Sequence, residues 1–174
     1  MRTETQPLRN EHRDFSDPLE AIRQVADGVG ELSLPELRRQ IDEVHGFLVD
    51  RFIPHLCVDE EAVDPLIERV LDVHSPTEPT VEESVEVGRL AGNLLELCER
   101  LVYSYFGPGQ LRSLQTVLYD LHALIEAHLA EGNELYGALL HKGITAAEAR
   151  EMLQEVGAAE KVPPTLESVS RLAT

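Results

Sequence analysis

Residues 111–131, LRSLQTVLYDLHALIEAHLAE, establish the fold class more clearly than any other segment, because leucine and isoleucine recur there at steps of three and four. This spacing places the apolar side chains on one face of an α-helix. Two earlier segments repeat the spacing, and a shorter segment carries Leu19, Ile22 and Ala26. The three long apolar faces are Leu37, Ile41, Val44, Leu48 and Phe52; Val87, Leu90, Leu94, Leu97 and Leu101; and Leu111, Leu114, Leu118, Leu121 and Ile125.

Start and stop signals bound these helices. Ser33 and Glu36 have the spacing of a capping box, and glycines and prolines separate the apolar faces. Because short connections favour antiparallel neighbours, we predict an all-α fold, an up-down-up-down four-helix bundle with a short C-terminal fifth helix. Pro54 lies inside the second helix, where we expect a kink or a brief break. The predicted helices lie near 17–28, with an extension back toward residue 6, and over 34–72, 81–106, 109–141 and 145–158.

Bulk properties limit the partners and the location that we expect. The 174 residues suffice for one domain, which we place at 1–160, with a C-terminal tail at 161–174. The net charge of −17 repels phosphate and anionic lipid, so neither nucleic acid nor a membrane is an expected partner. Two cysteines make no disulfide framework and no signal peptide is visible, so we expect a cytoplasmic protein.

Polar residues replace the apolar ones where the four helical faces are continued toward one end of the bundle. These residues are His12, His55 with Asp59, Ser84 with Glu86, and His128 with Glu131. An imidazole and a carboxylate four residues apart share one helix face, as in metal sites of helical bundles. Buried imidazoles and carboxylates need a partner or a metal, so the pattern indicates a metal site. The alternative is that the histidines are hydrogen-bonded core residues and the acids lie on the surface.

Four stretches occur in an order that resembles one known family. They are EHR at 11–13, IPHLCVDEEAVDP at 53–65, VEVGRL at 85–90 and VLYDLHALIEAHLAE at 117–131. The second is the most specific, with a proline, a histidine, an acid four residues later and a proline ten residues after that histidine. Over about residues 6–158 the chain resembles the hemerythrin-like, or HHE cation-binding, domain.

The resemblance implies a bundle that holds two non-heme irons with histidines and carboxylates, and that binds dioxygen, nitric oxide or peroxide or senses iron or oxygen. By position, His55 and His128 match ligand histidines, Asp59 matches a ligand glutamate, and Glu60 is a neighbouring acid. The chain departs from the family pattern in three places. A histidine is replaced by Ser84, the acid expected after the last histidine falls on Gly132 or Asn133, and a first-helix histidine would align near Pro18.

The ligands that we predict are His55, Asp59, His128 and His12, with Glu60, Glu86 or Glu131 as further carboxylate donors. This set suffices for one transition-metal ion but is small for two irons, which take about five to seven protein ligands. His45 and His122 fall one to several turns away from the predicted site, where core or groove positions are more typical.

Two functions remain open from the sequence. One is a hemerythrin-like iron protein that handles or senses dioxygen, nitric oxide or peroxide with an incomplete ligand set. The other is a metal-free bundle that acts as an interaction or regulatory module, with a protein partner, or that binds a small molecule in a groove. Metal-dependent hydrolysis is a third option without an identifiable substrate, so the sequence leaves enzymatic activity open.

Overall fold

The computed structural model describes residues 12–59, 77–103 and 107–142, and every regular element in these ranges is a helix. The all-α prediction is therefore confirmed for this part of the chain. The elements are α1, Ser16–Gly28; α2, Leu34–Phe47; a π-helix, Leu48–Phe52; α3, Ile53–Val58; α4, Thr77–Tyr103; and α5, Pro108–Lys142. The predicted helix at 145–158, the tail at 161–174 and the predicted helical residues 60–72 lie outside the described residues.

The connection between α1 and α2 follows the local signals in the sequence. Gly30 has a φ of 95°, a left-handed conformation that glycine adopts without steric cost. Ser33 then caps α2, because its hydroxyl oxygen accepts a hydrogen bond from the backbone N–H of Glu36 at 3.4 Å. This is half of the predicted capping box, and it fixes where α2 begins.

The backbone stays helical through Pro54, so of the two predicted outcomes, a kink or a brief break, the break does not occur. The chain instead changes its hydrogen bonding just before the proline, where the N–H of Ile53 bonds to the carbonyl of Leu48, five residues back. In a regular α-helix the proline ring would press against the carbonyl of Asp50. The wider π-helical turn relieves that conflict, and α3 continues from it toward Asp59.

The apolar faces predicted from the sequence meet in one core. α1 packs against α2 and α5, and α4 packs against α2, α3 and α5. Leu37, Ile41, Leu94, Leu118 and Leu121 are among the fully enclosed residues. At one end of this core the apolar side chains give way to buried polar residues, which are His12, His55, Asp59, Ser84 and His128.

Charged residues cover the outward faces of the helices. Arg23 pairs with Glu20 at 2.6 Å, Arg39 pairs with Glu36 at 2.6 Å, and similar pairs lie along α4. Such exposed pairs contribute little to stability, since water and salt screen them. No helix in the described ranges is both long enough and apolar enough to cross a membrane.

Candidate metal centre

Four of the predicted ligand residues come together in one buried cluster. His12 lies in the helical stretch ahead of α1, His55 on α3, Asp59 directly after α3, and His128 on α5. Each offers one potential ligand atom, and these atoms all lie within 4.8 Å of one another. The four residues are between 3% and 8% exposed, so water reaches them poorly. We call His12, His55, Asp59 and His128 the site cluster.

Three of these residues form a compact triangle of donor atoms. The Nε2 atoms of His55 and His128 are 3.4 Å apart. Oδ2 of Asp59 lies 3.4 Å from Nε2 of His55 and 3.2 Å from Nε2 of His128. For metal–ligand bonds of about 2.1 Å, neighbouring donors are separated by about 3.0 Å at right angles and about 3.4 Å at tetrahedral angles. The triangle therefore has the dimensions of one face of a metal coordination shell.

The His12 ring is the fourth member of the cluster and lies beside α5. Its ring centroid lies 5.2 Å from that of His55, edge to face, and 6.0 Å from that of His128. The ring occupies space beside Gly132, since a Cβ built on that glycine would lie only 2.5 Å from Cε1 of His12. Gly132 is one of the two positions, with Asn133, where the family resemblance places an acid, and the structure places an imidazole from another element beside it.

Two carboxylates hold the His128 ring from opposite sides. Besides the contact with Asp59, its Nδ1 lies 3.4 Å from Oε2 of Glu83 on α4. Burial lowers the pKa of His128, but the hydrogen bonds to Asp59 and Glu83 outweigh burial and raise the pKa to about 9. At neutral pH the imidazolium donates to both carboxylates. Glu83 thus determines which ring nitrogen faces the other site residues.

The other ionisable groups respond to the same surroundings. Burial, followed by the nearby positive charge of His55, lowers the pKa of His12 to about 4. Burial raises the pKa of Asp59, yet the charge of His55 and the hydrogen bond from His128 lower it below its ordinary value overall. At neutral pH the cluster therefore holds an ionised carboxylate and a neutral His12, both of which are competent metal ligands.

Aromatic side chains enclose the triangle. The Phe15 ring lies 5.0 Å from His55, and the Phe52 ring lies 5.7 Å from His128. Arg51 lies over the outer side of Phe15, at 5.4 Å from its centroid. These contacts fix the imidazole planes and exclude water, which strengthens electrostatic interactions inside the site.

Two of the remaining predicted ligand positions, Glu86 and Glu131, do not join the site cluster. Glu131 is exposed on α5, and Glu86 pairs with Arg89 on the surface of α4. Glu60 lies outside the described residues. His122 lies 3.9 Å from Glu126 instead of in the cluster, and His45 is not part of the cluster either.

Glu83 was not among the ligand or supporting residues predicted from the sequence, although a signal for it existed. Glu83 lies four residues before Val87, the first residue of the apolar face on its helix, and therefore on that same inward face. Ser84 was recognised as an inward position and is buried, with 2% of its surface exposed.

Three imidazoles and one carboxylate, buried where packed helices meet, define a helical protein with the donor set of a transition-metal site. The model of the hemerythrin HHE cation binding domain matches residues 3–140, and the chain belongs to this family. The resemblance drawn from the sequence is thereby confirmed. Searches of curated proteins and of solved structures gave no match. Family membership and the site cluster together indicate metal binding.

Proposed function

We propose that the protein binds non-heme iron at the site cluster and uses it to bind or sense dioxygen, nitric oxide or peroxide. The observation that carries this proposal is the buried triangle of His55, Asp59 and His128, with edges of 3.2–3.4 Å. Two histidines and one carboxylate with open positions are the donor set of non-heme Fe(II) proteins. The convergence of these residues also supports the up-down-up-down arrangement, in which they share one end of the bundle.

Bound iron would supply an open coordination position for a small ligand. The protein's own residues perform the supporting work. Asp59 contributes a negative charge, and Glu83 keeps Nδ1 of His128 protonated so that Nε2 faces inward. Phe15 and Phe52 limit access to the site, so a diatomic molecule or peroxide fits better than a bulky substrate. This enclosure favours handling of a small molecule over hydrolysis of a larger one.

The alternative function, a metal-free module that binds a small molecule, has a different observation in its favour. Between α1 and α2 lies a cavity of about 470 Å³, whose lining includes Val25, Leu32, Val44 and Phe47. The lining is mostly apolar and also includes Arg39 and Glu43, which suits an amphipathic small molecule. This cavity is separate from the site cluster, so occupancy of the one does not exclude occupancy of the other.

Metal analysis tests the proposed function. Full-length protein produced in iron-supplemented medium is expected to contain iron, and His55→Ala and His128→Ala are each expected to lose it. The matched control is His122→Ala, which removes an imidazole on the same α5 helix but outside the cluster. Less than about a tenth of an equivalent of iron in the wild-type protein, with melting unchanged by a chelator, would refute the proposal.

Ligand handling has its own measurement. Nitric oxide added anaerobically to the Fe(II)-loaded protein is expected to change its visible and EPR spectra. Spectra that remain unchanged with nitric oxide, dioxygen and peroxide would leave iron binding intact but would refute small-molecule handling.

A further inference from the structure

We propose that the site cluster holds a single metal ion, and that His12 is a ligand to that ion whose position depends on the absence of a side chain at Gly132. This inference rests on the proposed function, because it concerns the same site. It differs from the two-iron site that the family resemblance implies. Two features support it: the steric relation between His12 and Gly132, and the residues at the positions where a second ion would need donors.

His12 and a side chain at position 132 exclude one another. A Cβ at Gly132 would lie 2.5 Å from Cε1, 3.4 Å from Nδ1 and 3.5 Å from Nε2 of His12. Such a contact with Cε1 is far inside van der Waals separation, so an amino acid with a side chain at 132 would displace the ring. The described helical glycines at positions 46, 92 and 109 behave differently, since an added Cβ there meets nothing within 4 Å.

The presence of glycine at position 132 therefore has a structural explanation within this site. Glycine is a poor helix former, yet it occurs here inside the long helix α5. Its missing side chain leaves room for the His12 ring, which reaches the cluster from the segment ahead of α1. At this position α5 supplies no carboxylate, and an imidazole from a distant part of the chain fills the space.

A second ion lacks donors among the described residues. Ser84 is buried where the family resemblance expects a histidine, and a neutral hydroxyl is a weak ligand beside imidazole and carboxylate. The carboxylate of Glu83 faces Nδ1 of His128, so it orients a ligand histidine instead of acting as a donor to a second ion. Within the described ranges, no other group of three or more histidine, cysteine or acidic residues has its donor atoms this close together.

The size of the site cluster fits one coordination shell. Donor atoms on opposite sides of one ion are separated by about 4.2 Å at metal–ligand distances of about 2.1 Å. The four donors lie within 4.8 Å of one another, so a shift of about half an ångström brings all of them onto one ion. Two ions about 3.5–4 Å apart would have to share these four ligands.

A titration with Co²⁺ tests the number of ions. Metal-free, full-length protein is titrated while the visible absorption of the cobalt is followed, and the end point is confirmed by elemental analysis after gel filtration. We expect the end point at one Co²⁺ per chain. Two ions per chain would overturn the single-ion inference and leave the proposed function standing. No uptake of Co²⁺, Zn²⁺ or Fe²⁺ would refute both.

A double-mutant cycle tests whether metal binding by His12 depends on the absence of a side chain at position 132. His12→Ala and Gly132→Ala are each expected to weaken Co²⁺ binding by at least about tenfold, the loss expected when a site partner is removed. The double variant is expected to bind no more weakly than His12→Ala alone, because both changes remove the same ligand. Gly92→Ala on α4 is the matched control and should bind like wild type, since its Cβ meets no neighbour.

The cycle also has clear contrary outcomes. Wild-type Co²⁺ affinity in either single variant, or losses that multiply in the double variant, would overturn the role given to His12. Folding is monitored by far-UV circular dichroism of the metal-free proteins. If Gly132→Ala alone fails to fold, the double variant should fold, because the alanine then faces no imidazole. A double variant that also fails to fold would contradict the steric argument.

Discussion

Metal binding at the site cluster should depend on pH through His128. Its pKa is raised to about 9, so below that pH the metal-free protein carries a proton on this imidazole that the metal must displace. Affinity is thus fully developed above pH 9 and falls as the pH drops below it. At pH 7, two units below this pKa, affinity is about a hundredfold below its limit at high pH, a difference of about 2.7 kcal/mol.

The assay is competition for Zn²⁺ against a chelator of known affinity, at intervals between pH 6 and pH 10. Calorimetry at pH 7.5 in buffers of different ionisation enthalpy should show that binding releases about one proton or more. Glu83→Gln removes one of the two carboxylates that raise the pKa of His128, so the bend in the pH profile should move to lower pH. A profile that stays flat between pH 7 and pH 9 would refute this reasoning.

Three further outcomes follow from the structure. Adding Gly132→Glu to His12→Ala should restore metal binding, because a glutamate at 132 spans the 3.4–3.5 Å from Cβ to the His12 nitrogens; no gain over His12→Ala in the Co²⁺ titration would count against it. Phe52→Ala should destabilise the metal-free protein by about 3–5 kcal/mol in urea unfolding, against less than about 0.5 kcal/mol for the exposed Leu95→Ala; equal effects would contradict the burial of Phe52. Free Zn²⁺ at a thousand times its Kd should stabilise the folded protein by about 4 kcal/mol, and a chelator should reverse this in thermal melts; identical melts would show that the ion does not bind the native state selectively.

Much of the fold was accessible from the sequence because it follows from helical periodicity. The apolar faces identified at steps of three and four are the faces that form the core, and continuing them located His55, Asp59 and His128. His12 was also reached this way, by extending the first helix backward through Phe15. Placing these residues on inward faces needed only the geometry of single helices, and bringing them to one end needed only the expected up-down order of those helices.

The features that the sequence did not predict depend on packing between distant segments. The relation between His12 and Gly132 joins two segments far apart in the chain, so the sequence alone left open whether Gly132 marks a lost or a rearranged ligand. The π-helix before Pro54 is a similar case. Local chemistry predicts a conflict at the proline, but a kink, a break and a wider turn all relieve it. Glu131 is a predicted ligand that the structure does not support. Its spacing suggested an inward-facing donor, but its side chain is exposed.

X-ray absorption spectroscopy of the iron-loaded, full-length protein tests the central claim most directly, because it reports the atoms around the metal itself. The account predicts a coordination shell of nitrogen and oxygen donors at about 2.0–2.2 Å, with outer scattering from about three imidazoles and no second metal nearby. A metal–metal scattering peak at about 3.5–4 Å would contradict the single-ion site. A shell of oxygen donors without imidazole scattering would contradict binding at His12, His55 and His128 altogether.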